Sequence, residues 1–543
     1  MKAIQYITLA MLTGAIITSC TKKLDEVYQN PNAPVRVKPS ELLPPMQYQM
    51  AMNLEEDFMY LGATAQVFAC RYTFNNVPAV TRDRTITRHE MMGWFPGIDN
   101  SAAIWRMHYF NLGANLNKMI EWAAEDGQWD YVAAGYAMQA WSWLTTTDYH
   151  GELILTEAFR TDQLAFKYDP QDKIYDHVRN LCRLALENFD KAGTASQDFT
   201  AADQWFYQGN LNKWRKFVYG VLARSYNHLS NKSAYKADSV IFYCDKAMQT
   251  PDEDATYKYV GGPINAQNNY WGRFRANHTT LRQSKYIVDL MKGTQGVGST
   301  FEGVDDPRRW YMLCTGTGVD VNNMYGIEPT KGETFNLSAT QRPVNFWGST
   351  VVPGVDTARF IFRDNSEFPL MTSSEIQFMK AEAAYRKGDK PTALAAYRQG
   401  ISQHFDMLLS KYNVNIRAGR TMTTATRDAF LALPQVVPSA ANLTMSQIMQ
   451  QKFIALWGYG VLEAWTDLRR FHYTDIDPAT GKQVFYAFTP PQGTDLWPDN
   501  GGKYSYRVRP RHNSEYVWNI AELAVYGGDK IDYHCKEMWF SLP

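Results

Sequence analysis

Residues 372–401 read TSSEIQFMKAEAAYRKGDKPTALAAYRQGI, and this stretch decides the fold class. Thr372 and Glu375 have the spacing of a capping box, and apolar residues follow at intervals of three and four. Gly388 predicts a turn, and Pro391 suits the first turn of a second helix. Two helices that cross through alanines are typical of tetratricopeptide repeats, which have a period of about 34 residues.

Weaker helical patterns lie on both sides of this pair. Helices are predicted over residues 46–70, 104–124, 131–147, 174–189, 213–230, 235–249 and 444–465. Residues 251–370 lack such periodicity and hold many glycines and prolines, which predicts functional insertions rather than scaffold. The sequence therefore predicts an all-α protein, a tetratricopeptide-like helical-pair scaffold with irregular loop insertions.

The amino terminus has the pattern of a lipoprotein signal peptide. Lys2 is followed by an apolar stretch over residues 3–17, which is too short to span a bilayer. The sequence ITSC at 17–20 is typical of a lipobox, in which cleavage leaves Cys20 as the acylated first residue. The alternative is an ordinary signal peptide with a chance cysteine. We predict a signal peptide over 1–19, a proline-rich tether over 20–45 and one helical domain over 46–543.

Composition excludes several classes of function. Lys+Arg and Asp+Glu both number 55, so the chain has no electrostatic footprint for nucleic acid. The cysteines after Cys20 are far apart and show no zinc spacing. His89-Glu90 begins like a zincin motif but lacks the second histidine, and no phosphate-binding glycine loop is present. We expect no cofactor, no metal and no catalytic residues, although calcium binding without an EF-hand loop and a glycosidase pair of carboxylates stay open as alternatives.

Six short segments carry a resemblance to a known family. They are MKAEAAYRKGD at 379–389 with the helix that follows, DYHGEL at 148–153, YDPQDKIY at 168–175, GNLNKWRKF at 209–217, EAWTDLRR at 463–470 and RVRPRHNSEYVWN at 507–519. In their order along the chain, and behind a lipobox, these six segments resemble the SusD/RagB family. Two segments depart from the family pattern: Leu153-Ile154-Leu155 replaces its usual residues, and the last segment lacks the tyrosine that the pattern has just before the proline.

The resemblance implies a function as well as a fold. Proteins of this family are surface-exposed lipoproteins of the bacterial outer membrane that bind glycans, or peptides in some members. They deliver these nutrients to a TonB-dependent, SusC-like barrel. The resemblance thus implies a binding protein rather than an enzyme. Under it, Asp148, Glu382 and Arg470 are scaffold residues that satisfy buried partners.

Ligand recognition is predicted on aromatic insertions, because flat rings stack on sugar C–H groups while amides and guanidinium groups meet hydroxyls. The candidate residues are Tyr72, Phe74, Asn75, Trp94, Asn269, Tyr270, Trp271, Arg273, Phe346 and Trp347. Trp271, Trp94 and Tyr72 are the leading candidates. For each ring, local packing inside its loop is an equal alternative. Starch, a host glycan, a plant polysaccharide and a peptide all stay open as ligands.

Overall fold

A computed structural model describes residues 36–76, 82–94, 99, 101–348 and 356–543. Cys20, the signal peptide and most of the predicted tether lie outside these residues. Within the described ranges, no helix is both long and apolar enough to cross a bilayer. The five cysteines after Cys20 are buried and form no disulfide bond within the described part of the chain.

The first helix begins earlier than the sequence suggested. Helix α1 spans Pro39–Thr64, so residues 39–45 belong to the folded body and not to the tether. Pro39 occupies the first turn, where its missing N–H costs no hydrogen bond. Leu43 is fully buried, and Pro44 and Pro45 follow it inside the helix. Just before α1, Arg36 forms an ion pair with Asp126 at 2.9 Å.

Most of the next elements that the structure describes are helices. Its helices are α2 (Arg82–Glu90), α3 (Ala103–Arg106), α4 (Ala114–Glu125), α5 (Trp129–His150), α6 (Gln171–Ala192), α7 (Gln197–Ala202), α8 (Leu211–Asn227) and α9 (Ala237–Lys246). Consecutive long helices pack against each other, above all α4 with α5, α5 with α6, and α8 with α9. This is the stacking of helical pairs that the sequence predicted.

Short elements fill the middle of the chain. They are β2 (Ala255–Tyr257), α10 (Tyr270–Arg273), β3 (Leu281–Gln283), α11 (Lys285–Lys292), α12 (Arg309–Met312) and β4 (Phe368–Met371). Strand β3 pairs antiparallel with β1 (Phe68–Cys70), and β2 pairs antiparallel with β4. The predicted irregular insertion is confirmed, and these strand pairs fasten it to the helical body.

The carboxyl-terminal part returns to helices. It contains α13 (Ser373–Lys387), α14 (Lys390–Lys411), α15 (Thr424–Leu431), α16 (Met445–Leu456), α17 (Val461–Arg470), the short strands β5 (Ile476–Asp477) and β6 (Lys482–Gln483), and α18 (Ile520–Ala524). Helices α13 and α14 form a tightly packed pair, and α16 packs on α13.

The α13–α14 pair follows its sequence closely. Thr372 caps α13 by accepting a hydrogen bond from the Glu375 backbone N at 3.2 Å. Gly388 adopts the left-handed conformation at the end of α13, and Asp389 caps α14. The predicted capping box is only half formed, because the Glu375 carboxylate turns inward to pair with Arg224 at 2.7 Å.

Buried ion pairs tie the helical pairs together. Arg470 binds Glu382 at 2.7 Å and Asp467 at 2.6 Å, with all three side chains buried. His228 lies between Asp148 at 3.0 Å and Glu463 at 2.9 Å. These contacts fit the scaffold role that the resemblance gave to Asp148, Glu382 and Arg470.

His228, Asp148 and Glu463 are also close enough together to resemble a metal site. Burial opposes a positive charge on His228, but the two carboxylates outweigh it and raise its pKa to about 9. Both ring nitrogens face carboxylates, so the imidazole is a paired cation rather than a metal ligand.

Candidate functional site

A groove of about 260 Å³ opens between α1, α2 and α10. Aromatic rings and polar groups share its walls, which are formed by Glu56, Met59, Tyr60, Ile86, Tyr270, Phe274, Asn277, His278 and Thr280. Tyr60, Tyr270 and Phe274 are each half-buried, so one part of every ring is packed and another part is open. We call this feature the aromatic groove.

The short helix α10 sets the direction of its own rings. Tyr270 and Phe274 are four residues apart and therefore share one helix face, with ring centroids 5.0 Å apart. Trp271 points the other way and is fully buried. Its ring contacts Phe68 and Phe346 at centroid distances of 5.5 and 5.4 Å. One helical turn thus separates groove rings from core rings.

Two residues around α10 fix its position. The Asn269 side chain caps the helix by accepting a hydrogen bond from the Trp271 backbone N at 2.9 Å. Gly272 allows a close backbone approach, since a Cβ atom there would lie 2.5 Å from backbone atoms of Arg363 and Asp364. The two groove rings are therefore carried by a rigid turn.

A buried carboxyl group on α1 completes this support. Glu55 accepts a hydrogen bond from the Tyr270 backbone N at 2.8 Å, and the Tyr259 hydroxyl lies 3.3 Å away. Burial raises the pKa of Glu55 to about 8, against the opposing effect of the bond from Tyr270. Glu55 is therefore largely protonated at neutral pH and holds α10 without placing a charge beneath the groove.

Trp94 is half-buried and is not among the residues that line the aromatic groove. Its ring meets that of His89 edge-on at 6.5 Å, and His89 in turn lies 5.5 Å from Tyr60. Burial, with the nearby charge of Arg88, lowers the pKa of His89 to about 3, so this imidazole is neutral. Tyr60 and Trp94 are thus joined through a neutral aromatic contact.

Comparison with known proteins decides the family. Residues 31–486 match the model of the SusD-like family, which is described as starch-binding and associating with the outer membrane. The match covers most of the chain. The protein belongs to the SusD-like family.

Solved structures of other SusD-like proteins share this fold. A SusD homologue of Bacteroides fragilis is 18% identical, with a TM-score of 0.68 over 93% of this chain and 100% of that one. A SusD/RagB family protein of Bacteroides thetaiotaomicron is 19% identical, with a TM-score of 0.66 over 93% and 99%. A chitin-binding SusD homologue of Flavobacterium johnsoniae is 16% identical, with a TM-score of 0.63 over 93% and 98%. No curated protein matches the chain.

Three of the predicted binding residues, Tyr72, Phe74 and Asn75, are not part of the aromatic groove wall of this SusD-like protein. Tyr72 is half-buried beneath the guanidinium group of Arg71, which lies 5.0 Å from the ring centroid. Phe74 packs edge-on against Trp497 at 5.5 Å, and Asn75 is exposed. This loop is not part of the aromatic groove wall.

Four other predicted residues are buried. Trp271 and Phe346 have no exposed surface and pack against each other in the core, and Trp347 is 5% exposed. Asn269 is also fully buried, where it caps α10. A ring without exposed surface cannot stack on a sugar, so the structure places Trp271, one of the three leading candidates, in the core instead of on a binding surface.

The groove therefore keeps only part of the predicted set and adds new residues. Tyr270 lines it, while Arg273 is exposed beside it and donates to Asn265 at 3.2 Å. Tyr60 and Phe274 were missed. Phe274 follows Tyr270 by four residues, a helical spacing that was the available signal, whereas Tyr60 belongs to α1 and nothing local relates it to α10.

Proposed function

We propose that this SusD-like chain is a surface-exposed lipoprotein that binds an oligosaccharide or polysaccharide in the aromatic groove. The observation that carries this proposal is the arrangement of Tyr270 and Phe274 on one face of α10, with Tyr60 in the same groove. Half-buried rings offer apolar faces to sugar C–H groups without large rearrangement.

Polar groups beside these rings supply the second requirement of sugar recognition. Glu56 is held by Arg106 at 2.7 Å, which fixes its carboxylate at the groove wall. The Asn277 amide is exposed in the same wall and offers both donors and an acceptor. The groove thus combines stacking surfaces with hydrogen-bonding groups, as a sugar site requires. The family description and the chitin-binding homologue support the same class of ligand.

Membership of the SusD-like family supports a role for this protein in nutrient uptake. We propose that the protein captures nutrients at the outer surface of the cell and passes them to a TonB-dependent barrel. The chain acts as a carrier in this proposal, so purified protein should release no new reducing ends from a polysaccharide that it binds.

Substitution of a groove ring tests the binding site. Tyr270→Ala should weaken binding of the preferred glycan by tenfold or more, because truncation of a stacking ring in a hot spot costs about 2 kcal/mol. Its circular dichroism should stay that of the wild type. Titration calorimetry measures the change, after a screen of glycans and peptides on protein lacking residues 1–20 has identified the ligand.

Tyr219→Ala is the matched control, since Tyr219 is also half-buried but stacks on Tyr243 of the helical platform. It should bind as the wild type does. Equal affinity of Tyr270→Ala and wild type would contradict the groove. If only peptides bind in the screen, the ligand of the groove is a peptide and not a glycan.

Anchoring has its own test. Cys20→Ala should abolish incorporation of a fatty-acid analogue during growth, because the thiol is the acylation site in the proposed lipobox. Equal labelling of the variant would exclude this lipid anchor.

The proposed transporter partner has a separate test. Affinity purification of the wild-type protein from detergent-solubilised membranes should recover a large barrel. Repeated recovery of the lipoprotein alone would contradict the proposed complex with a transporter.

A further inference from the structure

The helical segment at residues 517–525 turns its apolar side chains outward. It consists of α18 and the residues just before it, with the sequence VWNIAELAV. Trp518 is 70% exposed and Val525 is 74% exposed. Large exposed apolar patches are rare on soluble proteins and mark interaction sites. We call this surface the outer patch, and its residues in this segment are Val517, Trp518, Ile520, Ala521 and Val525.

The opposite side of this segment is attached to the body through polar contacts. Glu515, Asn519 and Leu523 are buried and follow one another at intervals of four, so they share one helix face. Glu515 accepts a hydrogen bond from the Tyr168 hydroxyl at 2.6 Å. The Asn519 amide accepts from the Phe166 backbone N at 2.9 Å and donates to its carbonyl O at 3.0 Å. An ordinary surface helix buries its apolar side, whereas this one exposes it.

A neighbouring loop extends the outer patch. Leu164 is 83% exposed and lies two residues before Phe166, so at most about 7 Å of chain separates it from the Asn519 contact. Phe166 and Asn519 are 353 residues apart in the sequence. Folding therefore brings these exposed apolar side chains together from distant parts of the chain, and the patch is not a frayed chain end.

The proposed lipid anchor lies within reach of the outer patch. Arg36, where the described chain begins, donates to the Trp122 backbone O at 2.9 Å. From Trp122 back to Trp105 is roughly 26 Å at the helical rise. The Trp105 ring then lies 6.3 Å from that of Tyr168, under the outer patch. The chain between Cys20 and Arg36 can span up to about 55 Å, so a bilayer that holds Cys20 can also contact the patch.

The chemistry of the outer patch fits a lipid surface better than a protein. Protein interfaces carry about one hydrogen bond per 100–200 Å² and are enriched in arginine. The outer patch offers aliphatic side chains and a single indole, and Glu522, the only charged residue in 517–525, is half-buried. At a bilayer surface, aliphatic side chains enter the acyl boundary while a tryptophan lies at the level of the headgroups.

We propose that the outer patch rests on the lipid bilayer in which Cys20 is anchored. Trp518, Val525 and Leu164 enter the bilayer surface and give the body a second attachment point beside the acyl chains. The anchor confines the patch near the membrane, so a weak affinity for lipid is sufficient. This proposal rests on the lipid anchor of the proposed function and not on the glycan that the groove binds.

Vesicle flotation tests this attachment without the acyl chains. Protein lacking residues 1–20 keeps every described residue and should float with vesicles of phosphatidylethanolamine and phosphatidylglycerol. Trp518→Ser combined with Val525→Ser should lower its partition coefficient by about tenfold or more, because binding scales with the buried apolar area. The melting temperature should not fall, since both side chains are exposed. Phe242→Ser combined with Val319→Ser is the matched control at two other exposed apolar positions and should float like the parent.

A fluorescent label shows which surface meets the lipid. The five cysteines after Cys20 are buried, so a nitrobenzoxadiazole label can be placed at Trp518→Cys, and at Gln399→Cys on the exposed side of α14. Vesicles should brighten and blue-shift the label at position 518 and leave the label at position 399 unchanged. The same response from both labels would overturn the outer patch as the contact.

The remaining outcomes separate lipid from protein partners. No flotation of the parent, or equal flotation of the parent and the Trp518/Val525 variant, would overturn the bilayer as the partner. Loss of the barrel from a pull-down of the lipidated variant, without flotation of the parent, would assign the patch to the transporter. Self-association of the parent that the variant loses would assign it to a second copy. Glycan affinity should be equal in parent and variant, so failure here leaves the groove intact, and Cys20→Ala tests the anchor separately.

Discussion

Helices α13 and α14 and the insertion around α10 are built by different means. The helix pair is capped by its neighbours in sequence, with Thr372 and Asp389 at the two helix starts and Gly388 in the turn. Helix α10 spans only Tyr270–Arg273 and begins at a hydrogen bond to Glu55, which is 215 residues away. The first region is specified locally, and the second depends on contacts between distant parts of the chain.

This difference shows that the insertion is part of the folded core. Trp271 and Phe346 lie in the irregular part of the chain, yet both belong to the hydrophobic core together with Phe68 and Trp457. The insertion is therefore not a set of loops laid on a finished platform. It contributes core on one side of α10 and binding surface on the other.

Trp271→Ala should have the largest effect on stability, and it tests whether α10 divides core from surface. Truncation of a fully buried tryptophan should lower the free energy of unfolding by about 3–5 kcal/mol, because it leaves a cavity among aromatic rings. Chemical denaturation measures the loss. Tyr270→Ala, one residue away, should cost roughly 1 kcal/mol or less. If the two variants were equally stable, α10 would not divide core from surface.

The pH dependence of stability tests Glu55, the buried residue on α1 that accepts a hydrogen bond from the start of α10. Burial raises the pKa of Glu55 from about 4.5 to about 8, so between these values the folded protein keeps a proton that the unfolded chain has lost. Its contribution to stability should therefore fall as pH rises from 4.5 to 8 and then level off.

Glu55→Gln removes this titration and should gain stability relative to wild type across the same window, by a few kcal/mol. Denaturation midpoints at pH 5, 6.5 and 8 measure the trend. Glu121→Gln, at an exposed position on α4, is the control and should follow the wild-type curve. Parallel curves for Glu55→Gln and wild type would show that Glu55 is ionised in the folded protein.

Ala384→Leu tests the packing of the locally specified helix pair, α13 and α14. Ala384 is fully buried in α13, where a larger side chain should cost about 1–3 kcal/mol through overpacking. Ala395→Leu is the matched control, because Ala395 is exposed on α14. An unchanged denaturation midpoint for Ala384→Leu would mean that small side chains are not needed in this part of the helix pair.

The sequence predicted the regions that follow local rules. Helical spacing, caps and turns predicted the α13–α14 pair, and the motifs in their chain order indicated the family. The site was predicted only in part. Tyr270 lines the groove, whereas Trp271 was placed wrongly because a four-residue helix has too few residues to show which face is buried. Tyr60 was missed because its relation to Tyr270 depends on the packing of α1 against α10, which no local pattern records.

Helix α1 also has a mechanical consequence. A pull on the amino-terminal segment would enter the described part of the chain near Arg36, whose exposed ion pairs with Glu125 and Asp126 link this point to the end of α4. From Pro39 the load passes along a single helix to Tyr60, roughly 30 Å away at the helical rise. Because the buried side of α1 shares that load with the core, a pull at the entry point reaches the groove only after it has strained the whole helix.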